Sequence, residues 1–177
     1  MKEKFLLHVC CGPCSIAIFE ELGEQFDLTV HFYNPNIYPP EEYEKRKVEV
    51  IKLCKELVIP FVEEEYNPED WFERTKDFKD EPEGGARCEI CFRMRLEIAA
   101  QYASKHGFDY YSTSLTTGRN KKASVINPIG IEVGEEFGIK FFVEDWKKKG
   151  RQEMAIKMAK EKGIYRQEYC GCVYSMN

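Results

Sequence analysis

Short, almost unbroken apolar runs alternate with amphipathic segments through the first third of the chain, and this alternation constrains the fold more than any other feature. "KFLLHVC" (4–10), "LTVHFYNP" (28–35) and "IPFVEEEY" (59–66) read as strands. Between them, "SIAIFEELGEQF" (15–26) reads as a helix with Ser15 as its N-cap and Ile16, Phe19 and Leu22 on its inner face. A second, longer helix follows a Pro-rich loop and runs to about Leu57. Strands that are apolar at nearly every position are covered on both faces, so the βαβαβ order points to a parallel sheet between helices.

The rest of the chain continues the pattern. A short acidic helix and a Pro/Gly loop (81–86) lead into a helix from about Ile90 to His106, then a strand at "FDYYSTSL" (108–115). "TTGRNKKASVINPIG" (116–130) reads as a basic loop or helix start, "IKFFVEDW" (139–146) as a final strand and 151–163 as the last helix. No repeat or low-complexity linker interrupts it. The expectation is one Rossmann-like α/β domain over 1–177, with a Cys-rich tail (164–177) packing near the site. Ligands of such sheets bind outside the carboxyl ends of the strands. That edge collects "CCGPCS" after the first strand, Asn34 and Pro35 after the second, and Thr113, Ser114 and Arg119–Lys122 after the fourth.

Eight cysteines in 177 residues make that edge chemically unusual. The N-terminal apolar stretch is short, carries His8 and lacks a small-residue cleavage site, so a signal peptide is not expected. No segment approaches the roughly 18 apolar residues of a membrane span. A cytoplasmic location is therefore expected, and in a reducing compartment grouped thiols point to metal or redox chemistry rather than structural disulfides. Cys54 stands alone at helical spacing from Ile51 and Leu57 and reads as core. The other seven form the groups Cys10/Cys11/Cys14, Cys88/Cys91 and Cys170/Cys172.

Neighbouring side chains in a strand point to opposite faces, so Cys10 and Cys11 share a site only if the strand has ended, and Gly12-Pro13 supplies that break. "CEIC" (88–91) puts two thiols on the opening turn of a helix, where the dipole and Arg87, Arg93 and Arg95 would favour thiolates. Two pairs meeting at one edge give four thiolates, a count that suits zinc or an iron–sulfur cluster. The 73 residues between Cys14 and Cys88 fit a zinc ribbon poorly. A disulfide between Cys170 and Cys172 would close a small, readily reduced ring, and a redox role is favoured over metal ligation or plain surface thiols.

Charge says less. The net charge is −5, yet residues 145–177 carry an excess of +4 and the first 144 residues −9. A basic end on an acidic body permits nucleic-acid contact; "RNKK" (119–122), "WKKKGR" (146–151) and "YRQEY" (165–169) suit phosphate contacts equally well as a solvated surface. His8, His31 and His106 read as ordinary structural histidines.

Taken together, "LLHVCCGPCS", "FYNPNIYPPEEYEKRK", "WFERTKDFKDEPEGGARCEICFRMRLE", "DWKKKG" and "YRQEYCGCVYS" resemble the cobalamin-independent epoxyqueuosine reductases over nearly the whole chain. The resemblance implies reduction of the epoxide of epoxyqueuosine to the alkene of queuosine at the tRNA wobble position. It implies a [4Fe–4S] cluster on Cys10, Cys11, Cys88 and Cys91 and a redox-active dithiol at Cys170 and Cys172. Cys14 is then left over, free to bind a second, adjacent iron or to replace Cys10 or Cys11 as ligand. An electron donor of unknown identity is also implied. The strand-edge layout is similar to the ATP pyrophosphatase-type fold, but "CCGPCS" stands where that fold carries an SGGxDS phosphate loop, so ATP use is not expected. Two readings compete: a zinc-stabilised tRNA-binding or metal-carrier protein, which has no need of Cys170 and Cys172, and a thiol-disulfide oxidoreductase, which leaves five cysteines unused.

Overall fold

Strand β1 (Lys4–His8) lies at the centre of a five-stranded parallel sheet, with β2 (Asp27–Phe32) and β3 (Phe61–Glu63) on one side and β4 (Tyr110–Thr113) and β5 (Lys140–Phe141) on the other. The computed structural model describes residues 1–176. Along β1 the side chains alternate between two cores. Phe5 and Leu7 join the cluster built with α1 (Ile16–Gln25) and α2 (Pro40–Leu57), while Leu6 joins the one built with α4 (Ala86–Lys105) and α5 (Ala123–Phe137). Helix α6 (Arg151–Lys162) adds Ala155 to the first core, and α3 (Pro68–Thr75) carries buried Trp71 to a third, smaller cluster with Cys91, Met94 and Cys172. Both sheet faces are covered, as the unbroken apolar strands require. Among the described residues no helix is long and apolar enough to cross a membrane.

Several element ends differ from the expectation. Strand β1 stops at His8, two residues early: Val9 still donates to the His31 carbonyl, but the Val9 carbonyl is taken by the Asn34 side chain (2.9 Å) instead of a ladder partner. Ser15 is not a side-chain cap; its hydroxyl donates back to the Cys11 carbonyl at 2.8 Å and braces the Gly12-Pro13 turn. Helix α4 begins at Ala86, not near Ile90, so Cys88 and Cys91 lie within its first two turns. The final strand is only Lys140–Phe141, because the carboxylates of Glu144 and Asp145 bond to nearby backbone N–H groups and draw the chain out of the ladder.

The helix start expected within 116–130 is α5, which runs from Ala123 to Phe137 through Pro128 and two glycines. Pro128 removes one intrahelical bond. The glycines serve close packing: a Cβ on Gly134 would lie 2.5 Å from the Ile139 carbonyl oxygen, and one on Gly130 would lie 2.5 Å from the Phe141 ring. Helix and strand thus touch backbone to backbone. Gly134→Ala should lower stability by about 1–3 kcal/mol, the usual cost of overpacking, read as a lower midpoint in chemical denaturation. An unchanged midpoint would show that α5 does not sit this close to β5.

Candidate metal centre

Cys10 and Cys11 are both buried and pack on the same face, their sulfurs 3.9 Å apart. The strand ends before them and the Gly12-Pro13 turn swings both side chains to one side, as expected. Cys14, half-buried, completes the group and accepts a hydrogen bond from Gln167 Nε2 at 3.5 Å. The three thiols are hydrogen-bonded to one another, and the bonds Cys11 makes to Cys10 and Cys14, together with burial, push its own thiol well above the ordinary range. The bond from Cys11 holds Cys10 well below that range, with Lys121 and Arg95 adding to the effect against the cost of burial, and lowers Cys14 as well. The turn is therefore primed to present thiolate at Cys10. Cys54 behaves as a core residue, its thiol pushed up to about 12 by burial alone.

Cys88 and Cys91 differ from the expectation of thiolates at a helix start. Burial raises both thiols, more than the Gly84 N–H at Cys88 (3.2 Å) or Arg95 near Cys91 offsets. The reason is that two of the three nearby arginines are committed elsewhere. Arg87 spends Nη1 on the carbonyls of Phe78, Lys79 and Glu81, and Arg93 pairs with Glu132 (2.9 Å) and Glu136 (3.7 Å) on α5. Arg87 still lowers Cys88 and Arg95 lowers Cys91, but neither outweighs burial.

The tail is held by α2. Arg46, buried and paired with Glu42 at 2.8 Å, donates Nη1 to the Cys170 carbonyl and Nη2 to the Tyr169 carbonyl, each at 2.8 Å. The Tyr38 N–H takes the next carbonyl, that of Gly171, at 2.9 Å. Three consecutive carbonyls, those of Tyr169, Cys170 and Gly171, are thus fixed. Gly171 has φ 131°, a region closed to L side chains, and a Cβ there would come 3.1 Å from both Arg46 and Ile37.

These parts enclose two spaces. A small cavity of about 20 Å³ is lined by Cys88, Cys91, Cys170 and Cys172, with Arg95 and Lys121. A larger cleft of about 660 Å³ opens beside Cys10 and Cys14 and shares Cys170 and Lys121 with the first. The structure therefore sets Cys170 and Cys172 beside Cys88 and Cys91, with Cys10 and Cys14 on the neighbouring cleft. Among the described residues no three Cys, His, Asp or Glu side chains converge to hold a single metal ion. Lys121 stays protonated more firmly than usual: burial opposes its charge, but Cys170 and Cys10 outweigh it.

The donor set suits a soft, anionic metal group. Several thiols surround Arg95, which is fully buried, bonds Asn34 Oδ1 at 3.1 Å and leaves Nε and Nη2 without a partner. A buried guanidinium with two idle donors is costly unless negative charge is supplied, as thiolate ligands and a cluster would do. Sequence reasoning placed Asn34 and Arg95 at this edge but missed Arg46. A signal existed for Arg46: it falls at helical spacing with Tyr43, Val50 and Leu53 on an otherwise apolar inner stripe.

Fold and site together define a Rossmann-like α/β protein with a thiol-lined centre at the carboxyl edge of its sheet. The chain belongs to the family described as epoxyqueuosine reductase QueH, whose family model matches residues 5–177. It is 43% identical over 176 residues to the epoxyqueuosine reductase QueH of Haemophilus influenzae, covering 98% of this chain and 72% of that protein. The QueH of Thermotoga maritima is 41% identical over 175 residues, 97% of this chain and 89% of its own length. Among solved structures, the U34-tRNA thiolase NcsA from Methanococcus maripaludis with its [4Fe–4S] cluster superposes with a TM-score of 0.64 at 15% identity, covering 99% of this chain and 62% of that one. A predicted subunit of tRNA methyltransferase from Methanocaldococcus jannaschii gives 0.55 at 14% identity, covering 89% and 88%. At such identities the likeness concerns the fold, which is the ATP pyrophosphatase-like one expected from the strand-edge layout.

If Arg46 holds the tail, Arg46→Ala should speed iodoacetamide labelling of Cys170 and Cys172 in the reduced protein by roughly tenfold or more, since two charge-assisted bonds are lost. Cys54 should label no faster. Equal rates at Cys170 and Cys172 in both proteins would mean that the tail is held by other contacts.

Proposed function

We propose that this chain reduces the epoxide of epoxyqueuosine in tRNA to the alkene of queuosine. In this reading Cys10, Cys11, Cys88 and Cys91 hold a [4Fe–4S] cluster, Cys14 is available to a second iron, and Cys170 and Cys172 form a redox dithiol. The observation that carries it is the placement of Cys88, Cys91, Cys170 and Cys172 about one cavity with buried Arg95, and of Cys10 and Cys14 on the adjoining cleft, in a chain of the QueH family. The reading puts the protein in the cytoplasm, where thiols stay reduced.

The electron count balances within the chain. Removing the epoxide oxygen to leave a double bond takes two electrons and two protons and releases water. Oxidation of Cys170 and Cys172 to a disulfide delivers both, and an external thiol or electron-transfer donor then returns the pair to the dithiol. Held by these cysteines, a cluster would supply one-electron transfer and Lewis acidity. Lys121, held protonated beside Cys170 and Cys10, adds a fixed positive charge where that oxygen becomes anionic. Arg46 and Tyr38 keep the dithiol backbone still while its sulfurs react.

Anaerobic purification should give about four irons with matching sulfide and a broad visible absorption band. Stoichiometric zinc with no colour, persisting after iron–sulfur reconstitution, would overturn the reading in favour of a zinc-stabilised tRNA-binding protein. Cys170→Ala and Cys172→Ala should each abolish turnover and keep the visible spectrum. Loss of the spectrum would make them ligands and remove the dithiol from the scheme.

A further inference from the structure

The cleft beside Cys10 and Cys14 has more to it than access to the thiols. At about 660 Å³ it is within the size range of single small-molecule sites and far too small for a folded RNA helix. Ile18 and Leu115 form part of an apolar floor next to the two cysteines. The 117–121 loop and the tail segment 166–170 both line it, and each carries an exposed arginine, Arg119 and Arg166. Among the described residues neither makes an ion pair, although Glu83 and Glu168 also line the cleft. Arg151, on the same wall, is by contrast consumed by Glu21 and Glu144. Two uncommitted guanidinium groups on a mostly polar cleft that also reaches apolar Ile18 and Leu115 match a single nucleotide, its base turned inward and its backbone along the rim.

We propose that this cleft receives one nucleotide unstacked from a single-stranded RNA loop, its base directed to the Cys10–Cys14 floor and its flanking phosphates held by Arg119 and Arg166. The proposal rests on the tRNA-reductase reading and supplies its RNA-contacting residues. A group attached to a stacked base does not reach a recessed floor; enzymes that act on a base take it out of the stack, and loops are where RNA does so at least cost. Arginine suits the phosphates because its planar donor fork is charged at all working pH values. The basic excess of residues 145–177 draws the polyanion to this end of an otherwise acidic protein.

The test is RNA binding, measured apart from turnover. The probe is an anticodon stem-loop RNA carrying 2-aminopurine at its first anticodon position, titrated into the anaerobically purified holoprotein at a series of salt concentrations. Binding should raise 2-aminopurine fluorescence as the base leaves its stack. Arg119→Ala and Arg166→Ala should each reduce the slope of log affinity against log salt by about 0.7, the value for one single-strand phosphate contact. The control pair Lys55→Ala and Lys105→Ala, at the opposite sheet edge, should leave the slope unchanged. Wild-type slopes in both arginine variants, a loss in the control pair instead, or binding without a fluorescence rise would overturn the cleft assignment and leave the reductase reading standing. Absence of any RNA binding by the unaltered protein would overturn both.

Discussion

A buried guanidinium organises the strand edge. Arg95 reaches from α4 to Asn34 Oδ1 at 3.1 Å, and the same oxygen lies 3.2 Å from His8 Nε2, while Asn34 Nδ2 donates to the Val9 carbonyl. One asparagine therefore ties the ends of β1 and β2 to the helix that carries Cys88 and Cys91. Both neighbours of His8 Nε2, the Tyr33 carbonyl and Asn34 Oδ1, are acceptors, so that nitrogen carries the proton and Nδ1 accepts from the Thr113 hydroxyl. Burial, then Arg95 and His31, hold His8 neutral. With His8 neutral, Arg95 is the fully buried cation that joins this network, and it is left with two donors without a partner. Without an anion there, the arrangement costs the fold several kcal/mol, on the order expected of any unpaired buried ion.

The tail complements this from the other side. Arg95 offers charge to the thiols, whereas Arg46 uses its charge to grip backbone, and the Glu42 carboxylate that steadies Arg46 also accepts from Tyr165. The Cys-Gly-Cys segment is consequently positioned by its carbonyls and leaves its sulfurs free. In the proposed scheme the pair cycles between dithiol and disulfide, and a holder that bonded the sulfurs would change strength at each turnover.

The sheet was legible from the chain because buried parallel strands leave an unbroken apolar signature, and because Gly12-Pro13 marks where β1 must stop before its cysteines. The grouping of thiols was legible from spacing. What was not legible depended on partners far away in sequence. Gly130 and Gly134 look like helix breakers until Phe141 and Ile139 are seen pressed against them. Arg87 and Arg93 look like thiolate partners until loop carbonyls and α5 carboxylates are found to claim them, and no local pattern reveals that. Arg46 was visible as an oddity, a charge on an apolar stripe, but its target lies 124 residues away.

The two outer strands are three and two residues long. An unpaired strand edge is a template on which another chain can add itself, and short edges offer little to copy. The protein keeps a thiol-rich, partly open rim at the carboxyl ends of its strands, a surface on which two copies in contact could cross-link. With both flanks of the sheet cut short, and the β5 flank backed closely by α5, copies have few ways to align edge to edge and be held there. Brevity at the margins thereby leaves copies little edge along which to align and bring these rims together.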